Sequence, residues 1–133
     1  LYHTACQSHQ SGIPMIRPLV MEYPKDPIAK TQNLSYMLGD ALLISPGFDR
    51  DEYELYLPEG RWQDIESKEV YEGMTFVHIE NKAFADGGTS LRVFQKEGTS
   101  IPLFAQKEVL HVPAQLWKQE DLEFMIFQKK DVD

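Results

Sequence analysis

A single cysteine, Cys6, stands among the 133 residues, so no internal disulfide can form and a multi-cysteine metal site is excluded. That scarcity slightly favours a reducing, cytoplasmic setting. Basic residues are also few: thirteen Lys and Arg face twenty-one Asp and Glu, a formal charge of −8. Phosphate binding needs clustered cations, so no nucleic-acid partner is expected. The acidic residues are scattered in the manner of a solvated surface. No run approaches the ~20 consecutive apolar residues of a membrane span. No basic-then-apolar leader opens the chain, and a soluble protein without a membrane partner is expected.

Reactive constellations are equally sparse. Ser8, Ser11 and Ser35 lack the G-x-S-x-G turn that presents a hydrolase nucleophile. Cys6 has no catalytic-histidine context and reads as a small buried hydrophobe. His3 and His9 are six apart, on different helical faces, and so do not form the i, i+4 pair of a metal site. His78 and His111 alternate with apolar residues in strands and are expected to face solvent. No catalytic residue, metal ligand or cofactor is therefore assigned.

What is present is enough for one core. Apolar residues make up 42% of the chain, with seven Phe, six Tyr and two Trp, and a chain of this length buries roughly two-thirds of its unfolded surface. Residues 1–11 place Leu1, Ala5 and, more weakly, Cys6 and His9 at helical spacing. Gly12 then stands where a helix C-cap glycine belongs. The chain opens on Leu1, not Met, in what reads as the middle of a helix, so a fragment is expected. From Ile13 to Tyr23 the run is apolar and extended, Pro14 and Pro18 forbidding a helix, and a strand that is short or that enters and leaves a sheet quickly is expected. Pro24 and Pro27 mark the following loop.

Short strands then succeed one another. Residues 36–46 are apolar enough around Leu42, Leu43 and Ile44 to be buried on both faces. Residues 52–60 alternate, Tyr53, Leu55 and Leu57 against Glu52, Glu54 and Tyr56, as a half-buried strand does. RWQDI, KEVYEG, TFVHIE, SLRVFQKEG, TSIPLF, EVLHV and DLEFMIFQ follow, separated by Pro58-Glu59-Gly60, Gly73, Asp86-Gly87-Gly88, Glu97-Gly98 and Pro113. The tail 129–133 reads as frayed. This pattern predicts a mainly β fold, an antiparallel β-sandwich preceded by a short helix and strand.

Three segments, in order, resemble the C-terminal half of glycoside hydrolase family 31, the α-glucosidase and α-xylosidase family of retaining enzymes. The first is Gly12-Ile13-Pro14-Met15-Ile16-Arg17-Pro18-Leu19, continuing through Glu22-Tyr23-Pro24-Lys25-Asp26. The second is Tyr36-Met37-Leu38-Gly39-Asp40 with Ala41-Leu42-Leu43-Ile44-Ser45-Pro46. The third is Tyr56-Leu57-Pro58-Glu59-Gly60-Arg61-Trp62-Gln63-Asp64, and Val93 to Pro102 is a weaker echo. Each is common alone, and their order and spacing carry the resemblance over about residues 1–104. Two features depart from the family: Lys68 stands where a glycine is usual, and the Asp86-Gly87-Gly88 loop is unlike it.

The resemblance implies that residues 1–35 end a (β/α)₈ barrel and that residues 36–133 form a C-terminal sandwich. Retaining hydrolysis uses two carboxylates on the barrel, upstream of Leu1, so no catalytic residue carries over and no substrate-binding residue is assigned. The parent would cleave α-glucosidic or α-xylosidic bonds, this part being inactive alone. Its partner would be the catalytic barrel, with oligosaccharide met through that barrel only. Exposed apolar residues between Ile13 and Met21 would invite a dimer contact. A free-standing β-sandwich that binds carbohydrate or protein is the alternative.

Arg17 would form a structural ion pair with Glu22 or Asp26, since a buried guanidinium must be paired. Asp40 would cap the backbone of its turn. Trp62 is read as core, with a sugar-stacking role beside Asp64 as the lesser reading.

Overall fold

The computed structural model describes residues 2–47, 50–80, 91–104 and 122–128. The Asp86-Gly87-Gly88 loop, His111 with its expected strand, Pro113 and the tail 129–133 lie outside the described residues, as does the side chain of His3. Helix α1 spans Tyr2–Ser11 and stops at Gly12, which has φ +75° and donates its N–H to the Ser8 carbonyl at 2.8 Å. No helix among the described residues is long and apolar enough to cross a membrane.

Strands β1 (Ile16–Pro18), β2 (Tyr36–Leu38), β3 (Leu42–Pro46), β4 (Glu52–Leu57), β5 (Arg61–Asp64), β6 (Val70–Glu72), β7 (Thr75–Glu80), β8 (Leu91–Lys96), β9 (Thr99–Phe104) and β10 (Leu122–Phe127) follow. Six of them form one antiparallel sheet in the order β1-β2-β3-β8-β5-β6, while β4 pairs with β7 and β9 with β10. The register lines up Arg17, Met37, Leu43, Phe94 and Asp64 as successive cross-strand neighbours. All five are buried, so this row runs across the inner face with a charged residue at each end. Against it the β4–β7 ribbon turns Tyr53, Leu55, Leu57 and Ile79 into the same core, with Trp62 and Leu19. Two antiparallel layers around one core make the mainly β sandwich.

The chain changes layer twice at one place. It leaves β4 for β5 through Pro58-Glu59-Gly60, and leaves β6 for β7 through Gly73 and Met74. The Pro58 carbonyl accepts the Trp62 indole N–H at 2.9 Å and the Met74 backbone N–H at 3.3 Å. The Gly73 N–H donates to the Gly60 carbonyl at 2.6 Å. A Cβ on Gly73 would lie 2.1 Å from the Pro58 oxygen and 2.4 Å from that of Gly60. Only glycine allows the two passages to lie this close.

Three expectations need correction. The run from Ile13 to Tyr23 holds the short strand expected, β1, but is not free of helix: Leu19–Glu22 form a short one, α2. Pro18 disrupts the turn before it, not the residues after it, so a helix can start at Leu19. Residues 36–46 are two strands, β2 and β3, because Gly39 (φ +67°) reverses the chain. Tyr56, expected on the wet face of β4, is buried. The segment carrying Asp26 and the Phe76 ring (centroids 5.2 Å apart) cover it, so alternation holds only for Glu52 to Leu55. At the apolar centre of the sheet Leu43 and Ile44, on opposite faces, are both buried as expected, while Leu42 is half-buried. Strand β1 also has a definite place, as the edge strand paired with β2.

Leu55→Ala is expected to cost about 2–5 kcal/mol in a urea titration, the range for emptying a well-packed core site. Lys68 adopts φ +65°, where a Cβ is strained, so Lys68→Gly should stabilise the chain by about 0.5–1 kcal/mol. Gly73→Ala should act the other way and cost about 3 kcal/mol or more. The same titration, run on all three variants, checks each sign.

Candidate functional site

The residues singled out in the sequence do not converge. The Arg17 guanidinium is buried and pairs with Glu22 at 2.6 Å, while its Nε donates to the Pro14 carbonyl at 2.6 Å. This is the expected structural ion pair, made with Glu22, and it ties β1 to α2. Trp62 is fully buried and offers no stacking face. Asp64 is buried beside it: one oxygen accepts the backbone N–H groups of Glu66 and Ser67, and the other lies 3.6 Å from Arg92. Asp64 thus holds the turn that forces Lys68 into its left-handed conformation.

Asp40 and Cys6 differ from expectation. Asp40 is exposed and makes no side-chain hydrogen bond among the described residues, so Gly39, not a carboxylate cap, makes that turn. Cys6 is exposed, because the inward face of α1 falls to Thr4 and Ala5. His9 is exposed on the same helix, and His78 faces solvent as its alternation predicted.

Two arrangements went unread in the sequence. The first links elements thirty residues apart. The Tyr56 hydroxyl donates to Asp26 Oδ2 at 2.6 Å, while Asp26 Oδ1 accepts the N–H groups of Ile28 and Ala29 and caps the 3₁₀ turn at Ala29–Thr31. The Tyr56 hydrogen bond, aided by the two backbone N–H groups, holds the Asp26 carboxyl below its ordinary value. Burial, then Asp26, pushes the Tyr56 hydroxyl up to about 12. Nothing in the spacing signals this pair. The second is a charged cluster on the exposed side of the β4–β7 ribbon, where ligand-type atoms of Glu52, His78 and Glu80 lie within 4.8 Å of one another. Glu54 engages His78 Nδ1 at 2.9 Å, so the group forms an ion-pair cluster on an open surface.

A cavity of about 240 Å³ opens beside the loop before β2, with Gln32, Asn33, Ser35, Arg50, Tyr53 and Glu54 in its wall. Arg50 lies over the Tyr53 ring, 4.2 Å from its centre, and the Tyr53 hydroxyl is engaged by Ser45 at 2.9 Å. The aromatic face is therefore covered, and among the described residues no paired carboxylates line the space.

The surface best fitted to a larger partner is the N-terminal one. Helix α1 meets the β2–β3 turn where Thr4 approaches Gly39: a Cβ there would lie 3.2 Å from Thr4 Cγ2. The Gly39 N–H also donates to the Met15 carbonyl at 2.8 Å. Beside this contact Ile13, Ile16 and Met21 are exposed, Ile16 by 61%, while Leu19 and Arg17 of the same stretch are buried.

Comparison with known proteins bears on that surface. Residues 12–108 match the family model described as the glycosyl hydrolase family 31 C-terminal domain. Human neutral alpha-glucosidase AB is 35% identical over 105 residues, covering 76% of this chain and 11% of that protein. Alpha-glucosidase 2 of Bacillus thermoamyloliquefaciens is 34% identical over 117 residues, 85% of this chain and 14% of its own length. The cycloalternan-forming enzyme from Listeria monocytogenes superposes with a TM-score of 0.79 at 30% identity, over 96% of this chain and 12% of that one. A Flavobacterium johnsoniae GH31 dextranase gives 0.77 at 26% identity, over 97% and 15%. The chain thus spans a small part of each relative it matches.

The Tyr56–Asp26 pair gives a pH-dependent test. A carboxyl held below its unfolded value stabilises the fold above that value, and the contribution is lost as pH falls through the depressed one. Tyr56→Phe should cost about 1–2 kcal/mol at neutral pH. The gap between wild type and variant should narrow as the pH falls below the ordinary carboxylate value of 3.8, read from urea titrations at neutral and acidic pH.

Proposed function

The chain belongs to glycosyl hydrolase family 31 and carries its C-terminal domain, and from this we propose that it is the non-catalytic sandwich of an enzyme acting on α-linked glucosyl or xylosyl units with retention. The observation that carries the reading is the family match over residues 12–108 together with the kind of residue buried here. Among the described residues the charged side chains turned inward, Arg17 and Asp64, serve turns and ion pairs. Retaining hydrolysis needs two carboxylates about 5 Å apart flanking a bound sugar. The close carboxylates Glu52 and Glu80 lie on an open ribbon, outside the cavity. The relatives' names support the substrate class.

In this reading the catalytic barrel covers Ile13, Ile16 and Met21, and α1 is the barrel's last helix. The junction then falls near Gly12, ahead of the expected boundary at residue 35, because β1 is hydrogen-bonded into the sandwich sheet. Without the barrel, the same apolar residues would serve as a dimer contact. An exposed Cys6 thiol suits a reducing, cytoplasmic setting.

The purified chain is expected to turn over neither an α-glucoside nor an α-xyloside. Turnover abolished by one Asp or Glu substitution would overturn the proposal. Hydrogen exchange gives a second check: α1 should exchange faster than β3 and β8 in the free chain, since its partners lie largely elsewhere. Equal protection in a dilute monomer would instead favour a self-sufficient binding module.

A further inference from the structure

Along the exposed side of the β4–β7 ribbon, Glu52 stands opposite Glu80 and Glu54 opposite His78. Like charges facing one another weaken an antiparallel pair, and opposite charges strengthen it. Three carboxylates thus share one face with one imidazole. That ring reaches both carboxylates of β4: Nδ1 is 2.9 Å from Glu54 Oε1, and Nε2 is 3.9 Å from Glu52 Oε2. All four side chains are exposed. Arg50, two residues ahead of Glu52, donates to the Pro46 and Gly47 carbonyls and lies over the Tyr53 ring. The charges acting on His78 among the described residues are those of Glu54, Glu52 and Glu80.

The ribbon is sensitive to such a cluster. It pairs with no third strand among the described residues, and a lone two-stranded ribbon owes its order to cross-strand side chains and to what its other face buries. That other face supplies Tyr53, Leu55 and Ile79 to the core, so loosening the ribbon opens one layer of the sandwich.

We propose that His78 is a proton-operated tie across this ribbon. As an imidazolium it donates to Glu54 and faces Glu52, and on losing its proton it leaves three carboxylates uncompensated among the described residues, which loosens the β4–β7 pairing. The hydrogen bond to Glu54 raises the imidazole above its ordinary 6.5; burial opposes it, and the charges of Glu54, Glu52 and Glu80 add lesser upward effects. A group whose folded value exceeds its unfolded one stabilises the fold fully below about 6.5. That contribution is lost as pH rises through the raised value. Because the cluster is exposed, salt should weaken it.

NMR on the 133-residue chain tests the proposal. The His78 ring is expected to titrate above an ordinary histidine. Amide protection in β4 and β7, corrected for intrinsic exchange, should fall severalfold between about pH 6 and about pH 9, while that of β3 and β8 stays level. His78→Gln should abolish this pH dependence, and Glu54→Gln should lower the ring's titration midpoint. Both changes are on the surface, so the fold should survive them. An ordinary titration of His78, or the same pH profile of ribbon protection in His78→Gln, would overturn it.

Discussion

Where the chain crosses between the two layers, two backbone passages lie against each other, and the sandwich depends on that contact. Pro58 to Gly60 leads from the ribbon into the large sheet, and Gly73 with Met74 leads back. The Pro58 carbonyl takes the Trp62 indole and the Met74 N–H, while the Gly73 N–H reaches Gly60. A buried carbonyl without partners would cost about 1–3 kcal/mol. Here it is satisfied at once by Trp62, the largest buried side chain among the described residues, and by the second crossover. The run Pro58-Glu59-Gly60-Arg61-Trp62 therefore has a mechanical reason, which places Trp62 beyond the reach of any sugar.

From that fixed point the rest of the large sheet is ordered by polar ties at its margins. Arg17 and Glu22 fold the N-terminal edge strand back on α2. Asp64 shapes the turn after β5, and Arg61 joins Glu72 and Glu97 across neighbouring segments. Asp26 and Tyr56 fasten the long loop before β2 to the ribbon. Each tie uses residue types that invite a catalytic reading, and each is consumed by structure. A buried charge with a satisfied partner is costly to break but does not by itself create a site.

In the proposed reading, this arrangement suits a domain whose chemistry is carried by another part of its enzyme. Barrel enzymes place their chemistry at the C-terminal ends of barrel strands, and a sandwich beside the barrel contributes rigidity and a covering surface. The exposed Ile13, Ile16 and Met21, next to the contact of α1 with Gly39, are what such a surface requires.

Much of this was legible from local pattern. The strand series, the helix ending at Gly12, a structural ion pair at Arg17, the core role of Trp62 and the family itself all follow from short-range spacing and motif order, because burial and turn chemistry act over a few residues. Lys68, a departure from the family pattern, even marked the position where the backbone is left-handed. Sequence alone did not determine what comes from distant segments meeting. The Asp26 loop buried Tyr56 against its strand's alternation, the helical packing left Cys6 outside, and strand pairing put His78 among three glutamates. Those outcomes depend on which face a remote segment covers, and only the tertiary structure decides that.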